Sequence, residues 1–209
     1  METGFLQVLL NPARFFESRM QEEPSLKVPA LIALVCGLIG AVSALMMTDI
    51  TVAMLPAEMK GLGWLMVAFS TAVAFIGGFL AWIIYGFIFH IISMAFKGQG
   101  SLNRTLEVTG YGFLPQVFGG IIGSIFSYLL LSGLTVPAMS SAEEIAAFSE
   151  NLVTVLTTDP LAQVAGIVGI LFLIWSANIW IFGMKYARNL STRDAALTVG
   201  IPVGIYILY

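Results

Sequence analysis

The side chains of this sequence that could do chemistry are few, and most stand close together. His90 lies about two turns before Lys97, and Arg104, Glu107, Tyr111 and Pro115 follow over the next 18 positions. Asn178 stands alone, far down the chain. In a setting as apolar as this one, ionisable and amide side chains are expensive and are the default functional candidates. His90 reads either as a proton carrier, because its charge can change near neutral pH, or as a histidine hydrogen-bonded to a neighbouring loop. Arg104 and Glu107 are three apart, so on a helix they share a face and could pair. If helix runs on through Pro115, its ring displaces the Tyr111 carbonyl and bends the chain there. Asn178 is expected to bond across to another helix, as amides in membranes do. Trp175 and Trp180 read as lipid-facing or core bulk. No HExxH, GxSxG, paired intramembrane aspartates or phosphate loop occurs. Glu143-Glu144 resembles half of an intramembrane protease motif, on a polar loop with no histidine near. No catalytic residue, metal site or cofactor is expected, and the chain does not read as an enzyme. The single cysteine, Cys36, excludes an internal disulfide and a cysteine metal cluster.

The elements that must position these groups follow from the composition. Of 209 residues, 58% are hydrophobic and 10% charged, with a mean hydropathy of +0.94. A soluble domain carries about 25% charged residues, so soluble and disordered classes are excluded. The net charge of -3 includes no basic stripe, which excludes nucleic acid as a partner. Uncharged runs long enough to cross about 30 Å of hydrocarbon place spans near 28–47, 63–96, 112–134 and 160–184. A shorter one over 192–209 is started by a Ser191–Asp194 cap. The fold class expected is all-α, a polytopic bundle of five transmembrane helices. The second run is too short to be two spans and reads as one long helix, tilted or protruding, with a bend at Gly77-Gly78. With five spans, eight of the nine Lys and Arg residues fall on one side and only Lys60 on the other. That bias predicts a cytoplasmic N-terminus and an external C-terminus. No cleavable signal is expected; the first span serves as its own insertion signal.

Residues 1–24 interleave Phe5, Leu6, Val8, Leu9, Leu10, Phe15, Phe16 and Met20 with charges, and Asn11-Pro12 is a helix start. They read as an interfacial amphipathic segment with Phe15 and Phe16 anchored in lipid, or as a segment packed on the ends of the spans. Between the third and fourth spans, Ser141 and Glu144 form a capping box, Ile145 to Leu156 repeat at helical spacing, and Asp159-Pro160 caps the next span. Small residues that let helices approach closely are expected at Gly119, Gly120, Gly123 and Ser124 in the third span and at Gly166 and Gly169 in the fourth, either within the monomer or at a homo-oligomer interface.

Three pieces of this sequence, in order, carry a family resemblance. They are Asn11-Pro12-Ala13-Arg14-Phe15-Phe16 before the first span; His90 with Lys97-Gly98-Gln99-Gly100-Ser101; and Thr105-Leu106 followed by Gly110-Tyr111 and Pro115. They resemble the Pro-x-x-Phe-Phe entry, the histidine with its Gly-x-Gly-Ser turn, and the threonine-leucine, Gly-Tyr and proline sequence of the Yip family, the Ypt/Rab-interacting membrane proteins, in a short prokaryotic form. The resemblance implies residues 25–209 as a five-helix Yip-type domain and a non-enzymatic role. Eukaryotic members work in early secretory traffic, with small GTPases and other Yip-type proteins as partners. Here only 27 residues precede the first span and the acidic Asp-Leu-Tyr-Gly-Pro element is absent, which counts against GTPase binding.

The function expected is therefore an integral membrane scaffold or organiser in the lipid bilayer. Its partners, a membrane or cytoplasmic protein, would dock through the cytoplasmic 97–115 hairpin and the N-terminal segment. The alternative is a transporter or channel for a small solute, ion or lipid, with a path lined by His90, Glu107, Tyr111 and Asn178. The location expected is the cell membrane, prokaryotic plasma membrane foremost, or an endomembrane in a eukaryote.

Overall fold

A computed structural model describes residues 4–55, 57–134, 136, 137, 139 and 141–208. Among these the chain forms ten α-helices and no strand. Two short helices, α1 (Phe5–Leu10) and α2 (Pro12–Arg19), precede α3 (Lys27–Met46). A short α4 (Thr48–Ala53) and a 3-10 turn (Ala57–Leu62) lead into α5 (Gly63–Ala95). Then come α6 (Leu102–Gly112), α7 (Leu114–Ser132), α8 (Ala142–Thr158), α9 (Pro160–Ala187) and α10 (Thr192–Leu208). Four segments are long and apolar enough to cross a membrane: Lys27–Met46, Glu58–Ala95, Leu102–Ser132 and Pro160–Ala187.

Local chemistry sets the helix starts. The Asn11 side chain accepts from the Arg14 N–H with Pro12 in the first turn. Ser141 and Glu144 close a reciprocal capping box. Asp159 accepts from Leu161 and Ala162 ahead of Pro160, and Ser191 accepts from the Asp194 N–H. Each satisfies donors that the first turn of a helix leaves free.

The helices alternate in direction. Gly78 of α5 faces Ala33 and Gly37 of α3, and Phe75 also faces Gly37. Gly112 and Gly119 face Trp180 and Phe172 of α9. Gly120 and Ser124 of α7 face Ile39 and Ser43 of α3, which runs parallel to it. One end of the bundle therefore gathers the α3 start, the α5 end, α6, the α9 end and the α10 start, and with them eight of the nine Lys and Arg residues. At the other end, α4 and α8 enclose a small core of Ile50, Met139 and Phe148. There the Lys60 ammonium donates to the Met139 carbonyl.

Helix α5 is unbroken through Gly77 and Gly78, and the second glycine is there for contact. A Cβ at Gly78 would meet the Gly37 nitrogen at 2.6 Å and the Ala33 carbonyl oxygen at 2.8 Å. Without a hydrophobic force between helices in lipid, such backbone approach is a main source of association. Gly37 and Gly40 of α3 serve the same seam, and none of the three stood out from spacing. Of the glycines expected to pack, Gly119 and Gly120 do, against Phe172 and Ile39, and Ser124 bonds Ser43 at 2.7 Å. Gly123, Gly166 and Gly169 do not: nothing lies within 4 Å of where their Cβ would stand, because the helices diverge there and the three line a cavity.

Two other expectations change. Phe15 and Phe16 are buried in protein, not anchored in lipid: the edge of Phe16 sits at Gly183 of α9, and both rings pack on Tyr111. Val8 is buried too, while Phe5, Leu6 and Leu10 are exposed. Val8, Phe15 and Phe16 thus belong to the bundle's own core, with Leu9 and Met20 packed against it, as expected of a segment packed on the ends of the spans. Helix α10 has 17 residues, about 25 Å at 1.5 Å per residue, against about 30 Å of hydrocarbon. Its Ile201 and Pro202 lie with Ile88 and Ile92, and its Tyr206 lies with Tyr85. Tyr85 is 10 residues from the Ala95 end of α5 and 22 from the Gly63 end, so α10 lines less than half of α5.

The two adjacent glycines give a sharp test. Gly78→Val should lower stability by about 1–3 kcal/mol through forced overpacking. Gly77→Val, at a position with open space, should change it by less than about 0.5 kcal/mol. Thermal unfolding in detergent would compare them, and equal loss from both would disprove the glycine seam.

Candidate functional site

The basic end is closed by a cap built on two helix endings that lie side by side. At the end of α5, Lys97 takes a left-handed φ of 60°, while Gly98 N–H bonds the Ser93 carbonyl at 2.9 Å and Lys97 N–H bonds Met94 at 3.0 Å. At the end of α9, Asn189 takes φ 52° and Leu190 N–H bonds the Lys185 carbonyl at 3.0 Å. Both are Schellman endings. Arg188 clamps one to the other: its Nε donates to Ser93 Oγ at 2.9 Å, and its two Nη atoms donate to the carbonyls of Gly98 (2.8 Å) and Gly100. The Arg188 carbonyl in turn accepts from Gln99 N–H at 2.8 Å. Gly100 is required here twice over, by its φ of 113° and by the Ala187 carbonyl, which a Cβ would meet at 2.5 Å.

From this turn Ser101 caps α6 by accepting from the Arg104 N–H, and α6 enters the space between α3, α5 and α9. Its inner face, Thr105 and Glu107 to Gly112, is buried. Two indoles fix its depth: Trp82 Nε1 donates to the Leu106 carbonyl and Trp180 Nε1 to the Thr109 carbonyl, each at 2.7 Å. Helix does not continue through Pro115. It ends at Gly112 and restarts at Leu114, with Pro115 in the first turn of α7, where a missing N–H costs nothing. The expected kinked helix is therefore two helices meeting at Phe113.

Glu107 is 0% exposed, and its charge is met from both sides. Arg19 Nη2 lies 2.6 Å from Oε1 and Arg104 Nη1 lies 2.6 Å from Oε2, while Ser25 N–H donates to Oε1 at 3.1 Å. The arginine side chains are only 11% exposed. Their remaining N–H groups reach Glu22, the Glu23 carbonyl at 3.0 Å and the Glu22 carbonyl. Charge-assisted bonds of this kind are about twice as strong as neutral ones, and the fork of arginine suits a carboxylate better than a lysine would. Below the cluster, Tyr111 stacks edge-on against Phe15 (5.0 Å) and Phe16 (6.3 Å). Deeper still, Tyr85, Phe89 and Phe113 surround Trp180 at 5.3–5.4 Å.

The expected Arg104–Glu107 pair is therefore present, as half of a triad. His90 Nδ1 faces Thr105 Oγ1 at 3.0 Å across α5 and α6. Glu107 and Tyr111, expected as contact residues, are enclosed by the protein and unavailable to an outside molecule. Asn178 does not bond across helices; it is on the exposed side of α9. His90, Glu107, Tyr111 and Asn178 accordingly line no common path: one contacts α6, two are sealed under α2 and one points away from the bundle. Arg19 and Arg188 were missed, since they lie 88 and 95 positions from Glu107 and Ser93. The only signal was their type, arginines that must find partners if they are near lipid. Among the described residues no cluster of His, Cys, Asp and Glu could hold a metal ion.

Long apolar helices of alternating direction, closed at the basic end by a cap whose inward charged groups are all hydrogen-bonded within the protein, define a polytopic α-helical membrane protein. Comparison narrows the class: a family model of the Yip1 domain matches residues 6–209, and the chain belongs to the Yip family. An uncharacterized protein of Methanocaldococcus jannaschii is 40% identical to it over 131 residues, 61% of this chain and 90% of that protein. No solved structure matches the chain.

Removing the central carboxylate should be costly. Glu107→Ala leaves Arg104, only 11% exposed, without its counter-charge and Arg19 with the exposed Glu22 alone, a loss of about 3–5 kcal/mol. It should also free residues 4–20, so that trypsin cuts at Arg14 and Arg19 before the bundle unfolds. If Glu107→Ala kept wild-type melting and protection, the triad would not be what holds the N-terminal helices.

Proposed function

We propose that this Yip family protein is a non-enzymatic membrane scaffold that docks a membrane or cytoplasmic protein on the outer face of its cap. The docking face is formed by the exposed tips of the cap: Gln99 to Asn103, residues 21–24, and Ser191 to Arg193. The observation that carries the reading is that the inward charged groups of the cap all bond within the protein. Glu107, Arg19, Arg104 and Arg188 are all spent on holding helices together, so what the cap offers outward is a fixed shape with polar tips. A rigid, pre-formed surface is what docking requires, since ordering costs then fall. The family's non-enzymatic character agrees with it.

The same face is assigned to the cytoplasm. Eight of nine Lys and Arg residues lie at the cap end and one at the other, the asymmetry that sets orientation in short-looped membrane proteins. On this reading α10, at 17 residues the shortest of the five expected spans, enters from the cytoplasmic end. The archaeal relative fits a prokaryotic plasma membrane.

Photo-cross-linking in the native membrane tests this. A photoreactive residue at Asn103 or Thr192 should capture the same protein of defined mass, lost with Arg193→Glu, while one at Glu150 on the opposite end should not. Capture only of lipid, or only of further copies of this chain, from both cap positions would overturn docking of a separate partner.

A further inference from the structure

Beyond the aromatic layer, away from the cap, a cavity of about 750 Å³ opens between α3, α5, α7 and α9. Its volume falls in the range of about 300–1,000 Å³ typical of small-molecule sites. Along α7 the lining runs from Gln116 to Ser127, 11 steps of helix or about 16 Å, with Phe113 just ahead of it. The shape is long, and it lies inside the about 30 Å of hydrocarbon that these helices cross. Apart from Tyr206, every lining residue belongs to a segment able to span a membrane. The surrounding solvent at this depth is therefore lipid.

The wall chemistry points the same way. Gly123, Gly166 and Gly169 bring no side chain into the space and touch nothing across it. Most polar groups nearby are already bonded: the Ser43 and Ser124 hydroxyls lie 2.7 Å apart, so that one donates to the other while the second donates to the Ile39 or Gly120 carbonyl of its own helix, and Gln116 Nε2 donates to Ser176 Oγ at 3.1 Å. A water needs two to four polar partners to be held in a cavity; Ser127, Gln116 and Tyr206 add single polar groups to a wall that is mainly methyl, methylene and aromatic surface. Such walls without contacts would forfeit dispersion energy along their whole length, which a flexible hydrocarbon supplies.

There is also a way in. Tyr206 lines the cavity and is 67% exposed, so the space reaches the lipid-facing surface there. A second apolar cavity of about 830 Å³, between α5 and α10, shares Tyr85 and Tyr206 with the first. The two tyrosines thus stand between an outer groove and the inner space.

We propose that the inner cavity is a binding site for one hydrocarbon chain of a membrane lipid, entered sideways past Tyr206 and floored by Tyr85, Phe113 and Trp180. The site is separate from the cap and does not depend on what docks there.

The test uses the full chain in liposomes containing a trace of phosphatidylglycerol with a diazirine in one acyl chain. After irradiation, mass spectrometry should find adducts on the α3 and α7 peptides that carry Cys36 and Gln116. Gly123→Phe and Gly166→Phe place a ring in open space and should reduce those adducts at least tenfold. Leu171→Phe, on an exposed face of α9, should not. A diazirine fatty acid in parallel identifies the source of the chain: labelling by both probes assigns the site to any acyl chain, and labelling by the phospholipid alone assigns it to an intact lipid. Adducts confined to exposed faces, or unchanged in both glycine variants, would overturn the proposal. A wild-type readout guards against misfolded variants, because Cys36 is the chain's single thiol and lines the cavity. A bilayer-soluble maleimide should modify it, and a charged, membrane-impermeant methanethiosulfonate should not. Rapid reaction with the charged reagent would show a water-filled cavity and disprove the site.

Discussion

A carboxylate with no exposure to solvent has to be neutralised, and the arrangement of the whole basic end follows from how that is done for Glu107. One arginine, Arg104, comes from its own helix three residues earlier, at no topological cost. The other, Arg19, comes from the end of α2, so the triad pins the N-terminal helices onto the bundle. Once Arg19 is held there, Phe15 and Phe16 lie one turn further back, against Tyr111 and α9. Leu9 then falls beside α9, where its carbonyl accepts from Trp175 Nε1 at 3.1 Å. A buried ion pair is weak evidence of net stability, but a single buried charge specifies one arrangement strongly, because every alternative leaves it unpaired.

Arg188 does for the turns what Glu107 does for the N-terminal segment. The ends of α5 and α9 leave carbonyls without helical partners, and in a membrane protein such groups must be satisfied by the protein itself. Two neighbouring Schellman endings meet part of that need, and one guanidinium meets more of it at Gly98 and Gly100. The Gly-x-Gly turn is therefore less a flexible loop than a set of acceptors presented to an arginine. The cap is rigid for that reason, and α6 can descend from it at a defined depth.

What the sequence made legible was whatever acts over one or two turns. Four of the five expected spans, the caps at Asn11, Ser141, Asp159 and Ser191, and the Arg104–Glu107 pair all depend on near neighbours, and these are found. The family was legible too, because its motifs sit in this same cap. What depends on distant partners was not. Spacing proposes Gly119, Gly120, Gly123 and Ser124 as a contact face, and all but Gly123 are; but whether a glycine meets a neighbour or a gap depends on the tilt of the opposite helix. Gly78 packs while Gly166 faces open space, and nothing in their immediate sequence separates them. Phe15 and Phe16 have the composition of an interfacial anchor and are buried because Arg19, three residues on, has a partner 88 residues away.

The contrast between Gly78 and Gly166 bears on how the molecule is organised. Helices in lipid gain nothing from hiding apolar surface and are held by close backbone approach and polar bonds. At the cap both devices are concentrated: arginines, indole donors, and glycines that let Trp180 and Trp82 sit against α6. Toward the other end, α3 remains joined to α5 through Gly37 and Gly40 and to α7 through Ser43 and Ser124, while α9 loses its partners once past Phe172. Separation on that side is the expected result of missing attachment, not of a deficit in hydrophobic residues. A bundle fastened most densely at the cap can keep the cap's shape constant while its lipid-facing half adjusts.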